Sequence, residues 1–455
     1  MKRILLLALC AVLALLTLSG CALFNSSTIN GERLSSYKIV YSADDSDYSY
    51  RAAEYVRDTV KVRTGVELEI IEDDSAEGAC EIVVGETSRS VSAELDADLL
   101  GSEFAVFSSG TKIALEGDYF LIAAAAYYFV ETFVPENNYA ATVPEGVSVC
   151  EPITKEAKNF IMLIGDGMGV NHTKLFDKME NGIEYGDGED IFYGYYLSAL
   201  GYSRTNSLSG TTDSAAGGTA LASGYKTNNE SIGIDGEGRD VLLITELAAS
   251  LGKSTAVMST ETKTGATPAS FSAHATDRDG KADILQSQIQ TTQNYGTIIE
   301  CGYDHYTGEK VMDIQEKIIS TLDTLDDDED GFFLMYEEAH TDKHSHKNDF
   351  DRTFEALVRF NQAIGVFMEY AFYHPDTMVI ITADHETGGI TEEDGEFVYT
   401  SEDHTPADVP VFVFGAAAHL FDGKTVENVQ IPMTVANLMG KSDFGDRTSY
   451  THLAE

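Results

Sequence analysis

Three short, unbroken apolar runs, Phe160–Leu163, Phe332–Tyr336 and Met378–Ile381, each lead directly into a segment rich in carboxylate or imidazole. A strand with one wet face would alternate polar and apolar residues, so runs this continuous predict parallel strands covered on both faces. Open α/β sheets bind ligands beyond the carboxyl ends of their strands. The segments waiting there are Ile164-Gly-Asp166-Gly-Met-Gly169, Glu337 through His346, and Thr382-Ala-Asp384-His385. Two further patches, Thr212-Asp-Ser214-Ala-Ala216 and His404, supply more oxygen and imidazole donors. Brought to one edge, these residues would line a pocket for several metal ions.

The rest of the second half follows the same alternation. Ser254–Met258 and Val411–Phe414 read as further strands. Asp240–Leu251 reads as a helix closed by Gly252, and Thr353–Tyr373 as one stopped by Pro375. The predicted fold class is α/β: a doubly wound, mostly parallel sheet with helices on both faces over residues 158–455. Residues 34–152 read as a separate small α/β domain. Its strands are Tyr37–Tyr41, Val66–Ile71 and Glu81–Val84. Its helices are Tyr48–Arg63 and Phe120–Phe133, and Phe104–Phe107 with Lys112–Glu116 form a hairpin. This layout, with Ile82-Val-Val-Gly-Glu-Thr-Ser-Arg89, resembles the accessory domain that precedes the catalytic domains of some glycoside hydrolases. That resemblance implies a glycan as a candidate partner; a ligand-free spacer is the other reading.

The N-terminus reads as an address. Lys2 and Arg3 precede the apolar stretch Ile4–Leu18, which is shorter than the roughly 20 residues a membrane span needs. The ending Leu18-Ser-Gly-Cys21 resembles a bacterial lipoprotein signal over residues 1–20, with lipid on Cys21 and a tether over residues 21–33. The expectation is an exported lipoprotein, anchored to membrane at a cell surface or envelope. Of the remaining cysteines, Cys80 and Cys150 could pair within the first domain, and Cys301 is left over.

The net charge of −45 from 75 acidic and 30 basic residues excludes a nucleic-acid partner, which needs a basic surface. It also repels anionic substrates unless positive charge is supplied locally. Bound metal ions would supply it.

Taken singly, the donor patches have ordinary readings. Ser214 could be a helix cap, Asp166 a turn between glycines, and the Glu337–His346 segment a solvated loop. Asp342 and His346 are four residues apart, so one helical turn would put both on one face. Near a helix N-terminus, Ser214 would meet a dipole that favours an incoming anion. A free hydroxyl is a weak nucleophile, however, and no Gly-x-Ser-x-Gly elbow surrounds it.

In order and content, these motifs resemble the alkaline phosphatase family over residues 158–455. The resemblance implies two Zn²⁺ and one Mg²⁺. Asp342, His346 and His404 would hold the first zinc. Asp384, His385 and Asp166 would hold the second, which also meets the Ser214 oxygen. Asp166 would bridge to magnesium, completed by Thr267 of Gly265-Ala-Thr-Pro-Ala269 and by Glu337. Arg278, reached by a helix-like stretch after Thr267, would clamp phosphate, and Lys343 would hold it through water. The implied reaction is hydrolysis of phosphate monoesters through a phosphoserine on Ser214, at neutral or alkaline pH, for phosphate scavenging. Two features depart from the family pattern. Gly265 stands where some members carry an acid, and the stretch between His385 and His404 is too short for a large inserted cap.

Two other functions stay open on the sequence: a phosphodiesterase or pyrophosphatase built on the same metal core, and a non-catalytic glycan-binding surface lipoprotein. A homodimer is also left open. A sulfatase is excluded by the missing Cys-x-Pro-x-Arg pattern.

Overall fold

The strands of the second half assemble into one eight-stranded sheet. They are β1 (Asn159–Gly165), β2 (Ala199–Arg204), β3 (Ser254–Ser259), β4 (Ile298–Cys301), β5 (Phe332–Glu338), β6 (Thr377–Thr382), β7 (Val409–Gly415) and β8 (Thr425–Glu427). Their order across the sheet is β4-β3-β5-β1-β6-β7-β2-β8. The five strands from β4 to β6 are parallel, and β7 runs antiparallel to both β6 and β2. Every residue of β1, β5, β6 and β7 is buried, as the continuous apolar runs require. Helix Phe350–Tyr373 covers β1, β6 and β7, and packs with helices Val170–Glu180 and Ile314–Asp326. A second layer forms around helix Ile244–Ser250, which lies on β3 and β5 and packs with Ser214–Ser223, Lys281–Tyr295 and Gln430–Leu438.

The coordinates are a computed structural model that describes residues 27–42, 47–94, 104–117, 121–134, 140–146, 157–180, 199–302, 314–374, 376–393 and 396–454. The signal segment, Cys21 and Cys150 lie outside the described residues. The chain divides into two compact units, Met1–Cys150 and Glu151–Glu455. The first holds a five-stranded sheet in the order Glu69–Glu72, Lys38–Tyr41, Glu81–Val84, Lys112–Gly117, Phe104–Ser109. Its last pair is the expected antiparallel hairpin. Helices Asp47–Thr64 and Leu121–Phe133 pack on each other and on this sheet.

Where boundaries differ from the sequence expectation, capping decides them. The helix expected from Asp240 begins at Ile244, because Leu243 is extended and the Glu246 carboxylate accepts its N–H at 3.1 Å. The helix expected from Thr353 begins at Phe350, because the Asp349 side chain accepts the Arg352 N–H. The strands β2, β4 and β8 carried no apolar run. β2 contains Gly201 and alternates buried and less buried residues, while β4 and β8 are short and lie at the sheet edges.

Candidate metal centre and nucleophile

Strand register puts the donor segments at one edge. Glu337 and Thr382 both pair with Ile164, so the chains leaving β1, β5 and β6 emerge side by side. Asp166 follows β1, Glu337 is the next-to-last residue of β5, and Asp384-His385 follows β6. Because β7 is antiparallel, its N-terminal end lies at this same edge, and His404 arrives just before it. A two-residue ladder, Glu386–Thr387 against His404–Thr405, sets Thr387 opposite His404. The second reversal makes β2 run with β6, so the chain after β2 returns to this edge with Ser214.

Ser214 is the first residue of helix Ser214–Ser223 and is 3% exposed. Asp213 caps that helix, its Oδ1 accepting the Ala216 N–H at 3.0 Å. Asp213 Oδ2 accepts from Arg278 Nη1 at 3.0 Å and from the Glu230 N–H at 3.0 Å. One carboxylate therefore fixes the nucleophile's helix and the guanidinium together. The helix expected to reach Arg278 stops at Ser270; Arg278 arrives on a loop whose N–H donates to the Glu230 carbonyl at 2.8 Å.

Three imidazoles present the same nitrogen to the pocket. His404 Nδ1 lies 2.9 Å from the Thr212 carbonyl, and His346 Nδ1 contacts the Glu402 carbonyl. His385 Nδ1 lies 3.2 Å from the Thr387 hydroxyl, which donates onward to Asp342. Oxygen acceptors thus hold the proton on each Nδ1 and leave each Nε2 with its lone pair. His346 Nε2 and His404 Nε2 face each other at 3.1 Å, with Asp342 Oδ1 at 3.3 and 3.5 Å. His385 Nε2 lies 3.1 Å from Ser214 Oγ, 3.3 Å from Asp384 Oδ2 and 3.5 Å from Asp166 Oδ1. Opposed lone pairs and carboxylates at such distances repel unless they share a cation or a proton.

The carboxylates carry the same message. Burial and the Asp384 charge raise Asp166 well above the usual carboxylate range. Burial and then Asp342 push Asp384 up to about 7. Burial and Glu261 push Glu337 up to about 8. Burial opposes the ionisation of Asp342 too, but the facing His404 and the neighbouring His385 and His346 imidazoles hold it well below the usual range. Burial and then His404 depress His385, which makes it a poor base for the Ser214 proton.

Asp166 Oδ1, Asp384 Oδ2, Glu337 Oε1 and Thr267 Oγ1 are buried and make no hydrogen bond to any described residue. Buried polar oxygens are normally paired, so these four fit cation ligands. Two compact donor groups result: Asp342, His346 and His404, and Asp166, Asp342 and His385. The mixed imidazole and carboxylate sets suit zinc, and the oxygens of Glu337, Thr267 and Asp166 suit magnesium. Asp342, expected at one zinc only, is within reach of both groups.

Glycines allow the crowding. Gly167 has φ +74, and a Cβ there would come within 2.8 Å of both Asp342 Cα and Thr387 Oγ1. Lys343, beside Asp342, donates to Glu261 Oε2 at 2.6 Å. Asp213, Thr387 and Glu261 were missed by sequence reasoning. The first two sit beside recognised ligands in the chain, whereas nothing local marks Glu261.

Comparison with known proteins agrees with this geometry. The family model described as "Alkaline phosphatase" matches residues 157–301 and 304–400. Alkaline phosphatase 4 of Bacillus subtilis is 28% identical over 329 residues, covering 60% of this chain and 71% of that protein. Alkaline phosphatase 3 of the same organism is 29% identical, covering 60% and 70%. The structure of alkaline phosphatase from the Antarctic bacterium TAB5 superposes with a TM-score of 0.55 at 24% identity, covering 63% of this chain and 99% of that one. A histidine-to-aspartate variant of the TAB5 enzyme, 25% identical with a TM-score of 0.54 and the same coverage, is described with Mg bound in the M3 site.

Proposed function

The chain belongs to the alkaline phosphatase family, and from that premise we propose that it hydrolyses phosphate monoesters through a phosphoserine on Ser214, with two zinc ions and one magnesium. The observation that carries this reading is the buried Ser214 hydroxyl, 3.1 Å from His385 Nε2, at a helix N-terminus whose cap also grips Arg278. Asp342, His346 and His404 would hold one zinc. Asp166, Asp384 and His385 would hold the other, and Glu337, Thr267 and Asp166 the magnesium. Ions bound there supply the positive charge that lowers the proton affinity of a serine oxygen and stabilises a departing alkoxide.

Ser214 Oγ gives up its proton to solvent and forms the bond to phosphorus as the ester oxygen leaves and takes up a proton from water. A water oxygen then attacks the same phosphorus and loses a proton, and Ser214 Oγ is released and reprotonated as phosphate departs. The helix dipole favours the phosphoryl group at the N-terminus of helix Ser214–Ser223. Arg278 grips two non-bridging oxygens, its planar fork already aimed by Asp213. Burial of Ser214 excludes competing water from the reacting oxygen.

The test is turnover of an aryl monophosphate and a bis-aryl phosphate by the zinc- and magnesium-loaded protein, before and after chelation. Monoester turnover that vanishes on chelation and in Ser214→Ala supports the reading. Faster diester turnover would replace it with a phosphodiesterase. For the whole protein we propose export as a lipoprotein through Cys21, with phosphate scavenging as its use. Incorporation of labelled fatty acid that survives Cys21→Ala would refute that route. No described helix is long and apolar enough to cross a membrane.

A further inference from the structure

Gly265 stands at the N-cap of helix Ala266–Ser270, two residues before Thr267, with φ −60 and ψ 154. Any L residue adopts that backbone conformation, so conformation does not explain the glycine. Space does. A Cβ at this position would lie 1.6 Å from Glu261 Oε1 and 2.2 Å from its carboxyl carbon. The Glu261 side chain, entering from four residues upstream, fills the volume that a side chain at 265 would use.

Glu261 is tied at both ends to the metal-side residues. Its Oε2 accepts from Lys343 Nζ at 2.6 Å, and Lys343 directly follows Asp342. Its backbone N–H donates to Ser259 Oγ at 2.9 Å, and that hydroxyl donates to Glu337 Oε2. A continuous chain therefore runs from Lys343 through Glu261 and Ser259 to Glu337, whose other oxygen makes no hydrogen bond to any described residue. The Glu261 side chain is 20% exposed and that of Lys343 41%, whereas Glu337 and Thr267 are fully buried, so this pair lies nearer solvent than those two oxygen donors.

We propose that Glu261 is a positioning residue for the oxygen-rich metal site: its carboxylate holds the Lys343 ammonium in place and adds negative charge on the cation's side of the pocket, in the space left by Gly265. Outer carboxylates of this kind typically change metal affinity by about 10- to 100-fold. The effect should fall on magnesium rather than on the two imidazole-rich groups, because the described hydrogen bonds of Glu261 go to Ser259 and Lys343 and to none of the residues of those groups. Lys343, released from its partner, should also lose its fixed position toward phosphate.

The steric relation between the two positions supplies a rescue test. Gly265→Asp alone would crowd one carboxylate against another. Combined with Glu261→Ala, the new side chain enters the emptied volume with its acid near the old one. Magnesium titration of the zinc-loaded protein by calorimetry gives a readout independent of turnover, and binding of inorganic phosphate gives a second. The expected results are magnesium affinity lowered about 10- to 100-fold in the near-isosteric Glu261→Gln, zinc content unchanged, weaker phosphate binding, and recovery of most magnesium affinity in Glu261→Ala/Gly265→Asp relative to Glu261→Ala. If Glu261→Gln binds magnesium as the wild type does, or the double variant binds no better than Glu261→Ala, the assignment fails. The inference rests on the metal-dependent reading above. A wild-type chain that takes up no magnesium would refute that reading, whereas wild-type uptake indifferent to Glu261 refutes only this one.

Discussion

Gly217 separates catalysis from stability in a single substitution. It lies on helix Ser214–Ser223, three residues after the nucleophile, and an added Cβ would sit 2.7 Å from the Asp384 carbonyl oxygen and 3.1 Å from Asp384 Cβ. Gly→Ala in a helix interior contributes about 1 kcal/mol of stability through propensity. Overpacking against backbone costs about 1–3 kcal/mol. Gly217→Ala should therefore be nearly neutral to about 2 kcal/mol destabilising, a shift of a few degrees in Tm. Its effect on turnover should be larger. Ordinary contact begins near 3.4 Å, so helix and loop must part by about 0.7 Å. That displacement moves Ser214 from His385 and Asp384, which now sit 3.1 Å from Ser214 Oγ and 3.3 Å from His385 Nε2 respectively. Misplacement of about 1 Å at a reacting centre costs on the order of 100-fold. We expect kcat/KM on an aryl monophosphate to fall about 10- to 100-fold while the unfolding transition stays cooperative. Gly218→Ala is the milder comparison, since its Cβ would meet the Ser270 side chain at 3.1 Å and Thr267 Cα at 3.4 Å, where ordinary contact begins. Activity within threefold of wild type in Gly217→Ala would refute the claim that this contact sets the nucleophile.

Protons and metal ions compete for the same oxygens. Glu337 at about 8 and Asp384 at about 7 lie above their unfolded values, so in metal-free protein their contribution to stability is present below about pH 4 and is lost as pH rises toward 8. Metal-loaded protein escapes that loss, so the Tm gained on loading should grow between pH 5 and pH 8; a constant gain would contradict the assignment. Asp213→Ala should cost about 1 kcal/mol as a lost cap and also weaken inhibition by inorganic phosphate, because Arg278 loses its anchor; unchanged phosphate inhibition would count against that role. In the first unit, Arg89 is 3% exposed and Glu81 fully buried, their charges 3.1 Å apart. Arg89→Ala strands a buried carboxylate and should cost about 3–5 kcal/mol, read as early unfolding of that unit in denaturant.

Chemical identity was written along the chain. The continuous apolar runs announced β1, β5 and β6 because a strand covered on both faces has no polar positions to offer. Asp166, Glu337, Asp342 and Asp384 were legible because they follow those runs, and the helical spacing of Asp342 and His346 needed only local geometry. Convergence was not local. The reversed direction of β7 brings His404 to the carboxyl edge, and the reversed pairing of β2 returns Ser214 there; neither follows from residue order. The proton on each Nδ1 depends on carbonyls of Thr212 and Glu402 and on the Thr387 hydroxyl, two of the three far away in sequence. Glu261 shows the division most plainly. As a letter it is one acid among 75 acidic residues. It meets the metal-side residues only because folding brings the Lys343 ammonium, 82 residues further on, to its carboxylate, and a contact across that separation is a property of the packed chain alone.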